Sequence, residues 1–396
     1  MKKIIVSIII ICAFLYIPNY SHSTNTGQTE NSGESKLTQD DIISSQKASL
    51  NIGGFINEAK KYTEDIFKDT DYNDLLNSAI KGDINNKAIG KSILGIMGNE
   101  TIESIRTIGA IIVIIIIHSI LKSISEGLEN KSVAQITYYV QYILIVTLIM
   151  VSFADIITMV KDSIGNLVSF SNTLIPLLMT LILTTGNIVS ANLLQPILLF
   201  IITFIGNFII NVIIPIVLVS TALSIVSKIS DRIQIDKLAK FFKSSVVWIL
   251  GVVLTLFVSL LSIEGSLSSS VDGITAKTTK AAVSSFIPVV GKILGDAVDT
   301  VIGCTSILKN AVGIVGVVVI LGICVTPIIK LTLLTITYHI GAAVCQPIAD
   351  GKIVKLLEQM GDTFKIFLAI MCSVSVMLIV GTTLVMKISN SGLMYR

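Results

Sequence analysis

Residues 188–226 read IVSANLLQPILLFIITFIGNFIINVIIPIVLVSTALSIV, thirty-nine positions without one charged side chain, punctuated by Pro196, Gly206 and Pro215. A hydrocarbon core about 30 Å thick is crossed by about 20 apolar residues in a helix. The stretch is therefore one long bent helix or two spans joined by a tight polar turn near Gly206-Asn207 and Asn211. Lipid offers the backbone no hydrogen-bond partners, so a run of this kind has to close its amides internally as a helix. The rest of the chain repeats the pattern. Of 396 residues 52% are apolar and 14% charged, and the charges gather in patches between long uncharged runs. The expected class is an all-α polytopic membrane protein.

Working outward, clear spans fall at 105–121, 138–157, 246–263, 311–336 and 364–386, and a further candidate at 167–183 is interrupted by Pro176. Positive charge decides sides. The connector 227–245 holds Lys228, Arg232, Lys237, Lys240 and Lys243 against Asp231 and Asp236, a net +3, and belongs in the cytoplasm. A secreted amino terminus followed by 105–121 puts 122–137 there too. An even number of crossings must separate the two connectors, giving six or eight spans, with eight preferred.

The amino terminus follows another logic. Lys2 and Lys3 precede an apolar run from Ile4 to Ile17, then Pro18 and the small-residue pattern Ser21-His22-Ser23. Fourteen apolar residues are short for a span, so 1–23 reads as a secretory signal cleaved after Ser23, with a retained anchor as the alternative. Residues 24–104 carry eight Lys against thirteen acidic residues and no cysteine, an acidic extracytoplasmic segment free of disulfides. Helical spacing of Phe55, Ala59, Tyr62 and Ile66, and later of Leu75, Leu76, Ala79 and Ile80, predicts short amphipathic helices inside it. The membrane domain is 105–396.

An internal repeat is one reading of the prolines. Ile175-Pro176 and Pro215-Ile216 recur 112 residues later as Ile287-Pro288 and Pro327-Ile328. Each unit would be a connector, a span, a proline-broken segment and a long proline-bent span, with Pro176, Pro215, Pro288 and Pro327 as hinges. Coincidence among few prolines is the other.

Residues 264–309 sit between two firm spans yet mix Ser, Gly, Lys and Asp with short apolar runs. The part 281–294 is too short to span and contains Pro288, Gly291 and Lys292, which predicts a re-entrant or interfacial helix pair. A water-lined passage would use Lys277, Lys280, Gly291, Lys292, Asp296 and Asp299. An amphipathic helix on the lipid surface, with the same charges in water, is the alternative.

Catalytic chemistry finds little to work with. The chain has three histidines, His22, His118 and His339, so neither a histidine-rich metal site nor a triad can be assembled. Gly295-Asp296 and Gly361-Asp362 lack a paired aspartate in a convincing span. Cys304, Cys324, Cys345 and Cys372 are single and widely spaced, as packing residues are. Without a GxxxxGK[ST] loop, any ATP must be used by a partner. No enzyme activity, cofactor or metal is expected.

The stretch SIEGSLSSSVDGITAKTTKAAVSSFIPVVGKILGDAVDTVIGC at 262–304, followed by LKNAVGIVG at 308–316, resembles the stage III sporulation protein AE family of endospore-forming bacteria. The likeness extends in architecture across the whole chain. It implies a membrane subunit of a multiprotein channel joining mother cell to forespore, needed for late forespore gene expression. It further implies a mother-cell membrane location, with residues 24–104 facing the space between the two membranes. The implied partners are membrane lipid, other membrane subunits and a separate ATPase, with no nucleic acid. A stand-alone secondary transporter with a midplane site at its broken helices is the competing function, although scarce intramembrane charge counts against ion coupling.

Overall fold

The computed structural model describes residues 39–63, 72–81, scattered positions of 102–120, 131–229, 235–286 and 290–394, with the side chains of 264–299 outside that description. The signal at 1–23 lies outside it, and the span 105–121 is described only at scattered helical positions, among them buried Ile115 and exposed Val113, Ile116 and Ile117.

Every regular element among the described residues is helical. Three short helices come first: α1 (Gln39–Ser49), α2 (Ile52–Thr63) and α3 (Tyr72–Lys81). Six α-helices and one π turn build the bundle: α4 (Lys131–Thr184), α5 (Ile188–Phe208), the π turn (Ile209–Ile213), α6 (Ile214–Ile229), α7 (Asp236–Phe286), α8 (Val290–Cys345) and α9 (Gly351–Met394). Five stretches are long and apolar enough to cross a membrane, from Tyr142–Thr184 to Gly351–Lys387. The all-α polytopic class is thus the class observed.

The preferred count of eight spans is corrected. Residues 138–157 and 167–183 belong to one helix of 54 residues, about 80 Å long, which runs through Pro176 and therefore cannot cross twice in opposite directions. Residues 188–226 likewise form one continuous rod whose two α segments are joined by the π turn. Of the two counts, the six-span arrangement is the one the helices permit.

Proline leaves local marks without breaking these rods. It lacks an amide hydrogen, and its ring crowds the carbonyl four residues back. At Pro176 the helix persists, and Thr180 Oγ1 donates to the Pro176 carbonyl at 2.8 Å. Before Pro215 the backbone widens instead: the Ile214 amide reaches back five residues to the Ile209 carbonyl. One extra residue per turn relieves the crowding at Asn211 that an α turn would impose.

Charge-free stretches of about 20 residues each, the length that spans a bilayer, lie at 163–184 in α4, 244–263 in α7, 310–329 in α8 and 366–386 in α9. Close packing sets them at one level. Gly206 takes Val168 where any Cβ would collide, and Gly316 takes Leu174 in the same way, a Cβ there lying 2.6 Å from Leu174 Cδ2. Met386 lies on Gly313, and Phe257 on Gly381. A small cavity in the same layer is lined by Leu174, Ile202 and Leu378. By length and composition this layer suits a membrane, with α8 and α9 at its centre and α7 presenting Val247, Trp248, Val252 and Leu256 outward.

Candidate functional site: amino-terminal helices seated on the bundle

The acidic segment folds back onto the spans. Helix α2 carries Ile52, Phe55, Ile56 and Ala59 on one face, and all four are buried. From α3, Tyr72 and Leu76 join them. Their target is the junction of α4 and α8. Phe55 lies 5.9 Å from Phe170, ring centroid to centroid, and Tyr62 meets the same ring edge-on at 6.0 Å. Gln46 Nε2 donates to Thr305 Oγ1 on α8 at 2.8 Å. Lys47 Nζ ties α1 to α3 through Asn77 Oδ1 at 2.8 Å.

Two buried hydroxyls inside this cap pair with each other. Thr63 Oγ1 donates to the Ala59 carbonyl and shares a short hydrogen bond with the Tyr72 hydroxyl. Burial pushes the Tyr72 phenol above its ordinary range, so it stays protonated and keeps that bond. Each large apolar side chain so buried contributes about 1.5–3 kcal/mol, enough for a three-helix cap to hold to the bundle.

A buried lysine fixes the central pair. Lys309 is fully enclosed, and its Nζ donates to the Met386 carbonyl on α9 at 2.8 Å. Sequence reasoning used Lys309 only as the end of a polar stretch. The one available signal was its place directly before an uncharged run of span length.

At the opposite end a second polar cluster joins α6, α7 and α9. Asp236 accepts from Ser227 Oγ and Lys228 Nζ, and Ser220 Oγ donates to the Ala239 carbonyl at 2.7 Å. Lys243 Nζ donates to the Gln359 carbonyl at 3.1 Å, and Tyr142 OH to the Ile225 carbonyl at 2.7 Å. The basic connector is thus partly structural, with Lys228 and Lys243 spent on packing.

The sequence-predicted residues distribute unevenly. Pro176 is half-buried in α4, Pro215 follows the π turn, and Pro327 is buried in α8. Lys277 and Lys280 lie in α7, and Gly291, Lys292, Asp296 and Asp299 in α8, with side chains outside the described residues, as Pro288 is entirely. The backbone of 264–286 prolongs the helix of the preceding span without a break. His339 faces Asp362 at 3.8 Å across α8 and α9. No group of residues able to hold a metal occurs among the described residues.

Long apolar rods, charge-free layers in register and a cap of three short helices seated on the rods define a polytopic helical membrane protein whose amino-terminal helices are part of its fold. Residues 70–389 match the family Stage III sporulation protein AE (spore_III_AE), and the chain belongs to that family. It is 29% identical over 385 residues to Stage III sporulation protein AE of Bacillus subtilis (strain 168), the alignment covering 94% of each chain. No solved structure matches it.

Proposed function

We propose that this protein is a membrane subunit of a multiprotein, secretion-like channel between mother cell and forespore, required during endospore formation for forespore development and late gene expression. The observation that carries the reading is the cap: helices α1–α3 pack onto α4 and α8 as a platform that is part of the fold. Such a platform presents partners in the intermembrane space with an ordered surface. It sits in the mother-cell membrane, residues 24–104 face the forespore, and other membrane subunits and a separate ATPase complete the machine. It works without catalysis of its own.

The transporter reading needs helices unwound at the midplane, where freed carbonyls and amides hold substrate. Here the helices pass Pro176, Pro196 and Pro327 intact. Reconstitution separates the two functions. The full chain alone in vesicles is expected to pass no small hydrophilic dye, and vesicles from cells co-producing the sporulation membrane subunits are expected to pass it. Dye passage by the chain alone would overturn the subunit reading.

A further inference from the structure

The outward face of α4 changes character along its length. Leu144, Leu148 and Val151 are exposed on it, as befits a lipid contact. Among the described residues of α4, no large apolar side chain is exposed beyond Val151. The same face continues at spacings of three, four and seven through Asp162, Asn166, Ser169, Thr173 and Thr180, all polar, and all but Asp162 within the charge-free layer. Beside it, α5 and the π turn expose Asn192, Asn207 and Asn211. The two rows meet where Thr203 Oγ1 donates to Asn172 Oδ1 at 3.4 Å.

Side-chain chemistry separates this seam from other polar positions at that depth. Exposed Thr255 and Ser262 on α7 bond the carbonyls of Gly251 and Val258 in their own helix, and so can face lipid. A carboxamide brings two donors and an acceptor, more than its own turn can take up. Five of them, Asn166, Asn172, Asn192, Asn207 and Asn211, line the seam, while α7 exposes only aliphatic, aromatic, glycine and hydroxyl side chains through 244–263. Unmet polar groups in hydrocarbon cost several kcal/mol each. Asp155 and Asp162 stand exposed at the connector end of the seam.

We infer that the seam between α4 and α5 faces water inside the membrane and is one wall of an aqueous passage for hydrophilic solutes, the opposite wall being supplied by neighbouring protein. This rests on the channel-subunit reading and deepens it. It moves the passage from residues 264–299 to the seam, where Pro176 and the π turn before Pro215 lie.

Cysteine reactivity tests it in the full chain, produced in sporulating cells with its partners. The native cysteines among the described residues are buried or half-buried, so the parent chain sets the background. Asn166→Cys and Asn207→Cys are compared with Phe204→Cys and Leu256→Cys, whose parent side chains are exposed and apolar in the same layer. The probe is a charged, water-soluble methanethiosulfonate, which needs a thiolate and hence water. Membrane levels of each variant check folding. The expected result is labelling of the two asparagine positions about tenfold or more faster than of the two apolar ones.

Equal, slow labelling at all four would overturn the inference, because the seam would then be covered by protein or lipid. Equal, fast labelling would also overturn it, by placing the layer outside the membrane. If the seam stays unreactive while co-produced subunits still pass dye, the wall assignment falls and the channel reading stands. If the seam reacts while the chain alone passes dye, the water-lined seam stands and the subunit reading falls.

Discussion

Phe55, in α2, packs at 5.9 Å against Phe170, in α4 of the helical bundle, and this contact makes the amino-terminal helices and the spans one folded unit. Tyr62 shares the Phe170 ring, so a single aromatic residue anchors two turns of α2. Phe170→Ala is expected to destabilise the cap by about 3–5 kcal/mol, the range for a buried phenylalanine truncation. Limited proteolysis from the outer side should then cut α1–α3 much faster while leaving the bundle intact. Unchanged protection would contradict the contact.

Close approach at Gly316 makes a second prediction. Any side chain there meets Leu174, which is itself buried. Gly316→Val should lower stability by about 1–3 kcal/mol through overpacking, and Leu174→Ala should restore part of the loss by opening the space. Thermal unfolding in detergent reads both. A double variant no better than the single one would show that the two residues do not touch.

Lys309 gives a prediction whose size depends on the replacement. Lys309→Ala opens a cavity and strips a hydrogen bond from the Met386 carbonyl, and should cost about 2–5 kcal/mol. Lys309→Met keeps most of the volume and removes a charge that is expensive to bury, so it should cost much less. Equal losses in the two variants would mean that charge, not volume, is what the site needs.

Sides of the membrane are checked by labelling introduced thiols from outside intact cells. Lys47→Cys, on α1, should react with an impermeant reagent, and Lys240→Cys, on the exposed start of α7, should react only after the membrane is opened. The reverse pattern would invert the orientation drawn from the basic connector.

Much of this fold is legible in the sequence, because uncharged runs of span length have few ways to satisfy their backbone in lipid. The amphipathic periodicity of Phe55, Ala59 and Tyr62 likewise pointed to the helix that buries that face. The preferred count of eight spans takes Pro176 and Gly206 as breaks, where the six-span alternative keeps both helices whole. In the bundle, neighbouring helices hold the rod together through Pro176, and Gly206 makes room for Val168 where a turn was considered. Nothing in the sequence marks the cap's target, because Phe170 and Thr305 are ordinary residues until α4 and α8 bring them beside α2 and α1. The carboxamide seam was present as Asn166, Asn172, Asn207 and Asn211, yet its one-sidedness becomes visible only when α4 and α5 are side by side.

The central claim, a helical cap seated on the membrane bundle, is tested most directly by cross-linking Gln46→Cys to Thr305→Cys, in a Cys304→Ala background, with a short bis-maleimide added outside cells producing the full chain. The account predicts an intramolecular link, because the two native side chains are hydrogen-bonded at 2.8 Å. Thiols that both react with a monofunctional maleimide and yet never link to each other would contradict it.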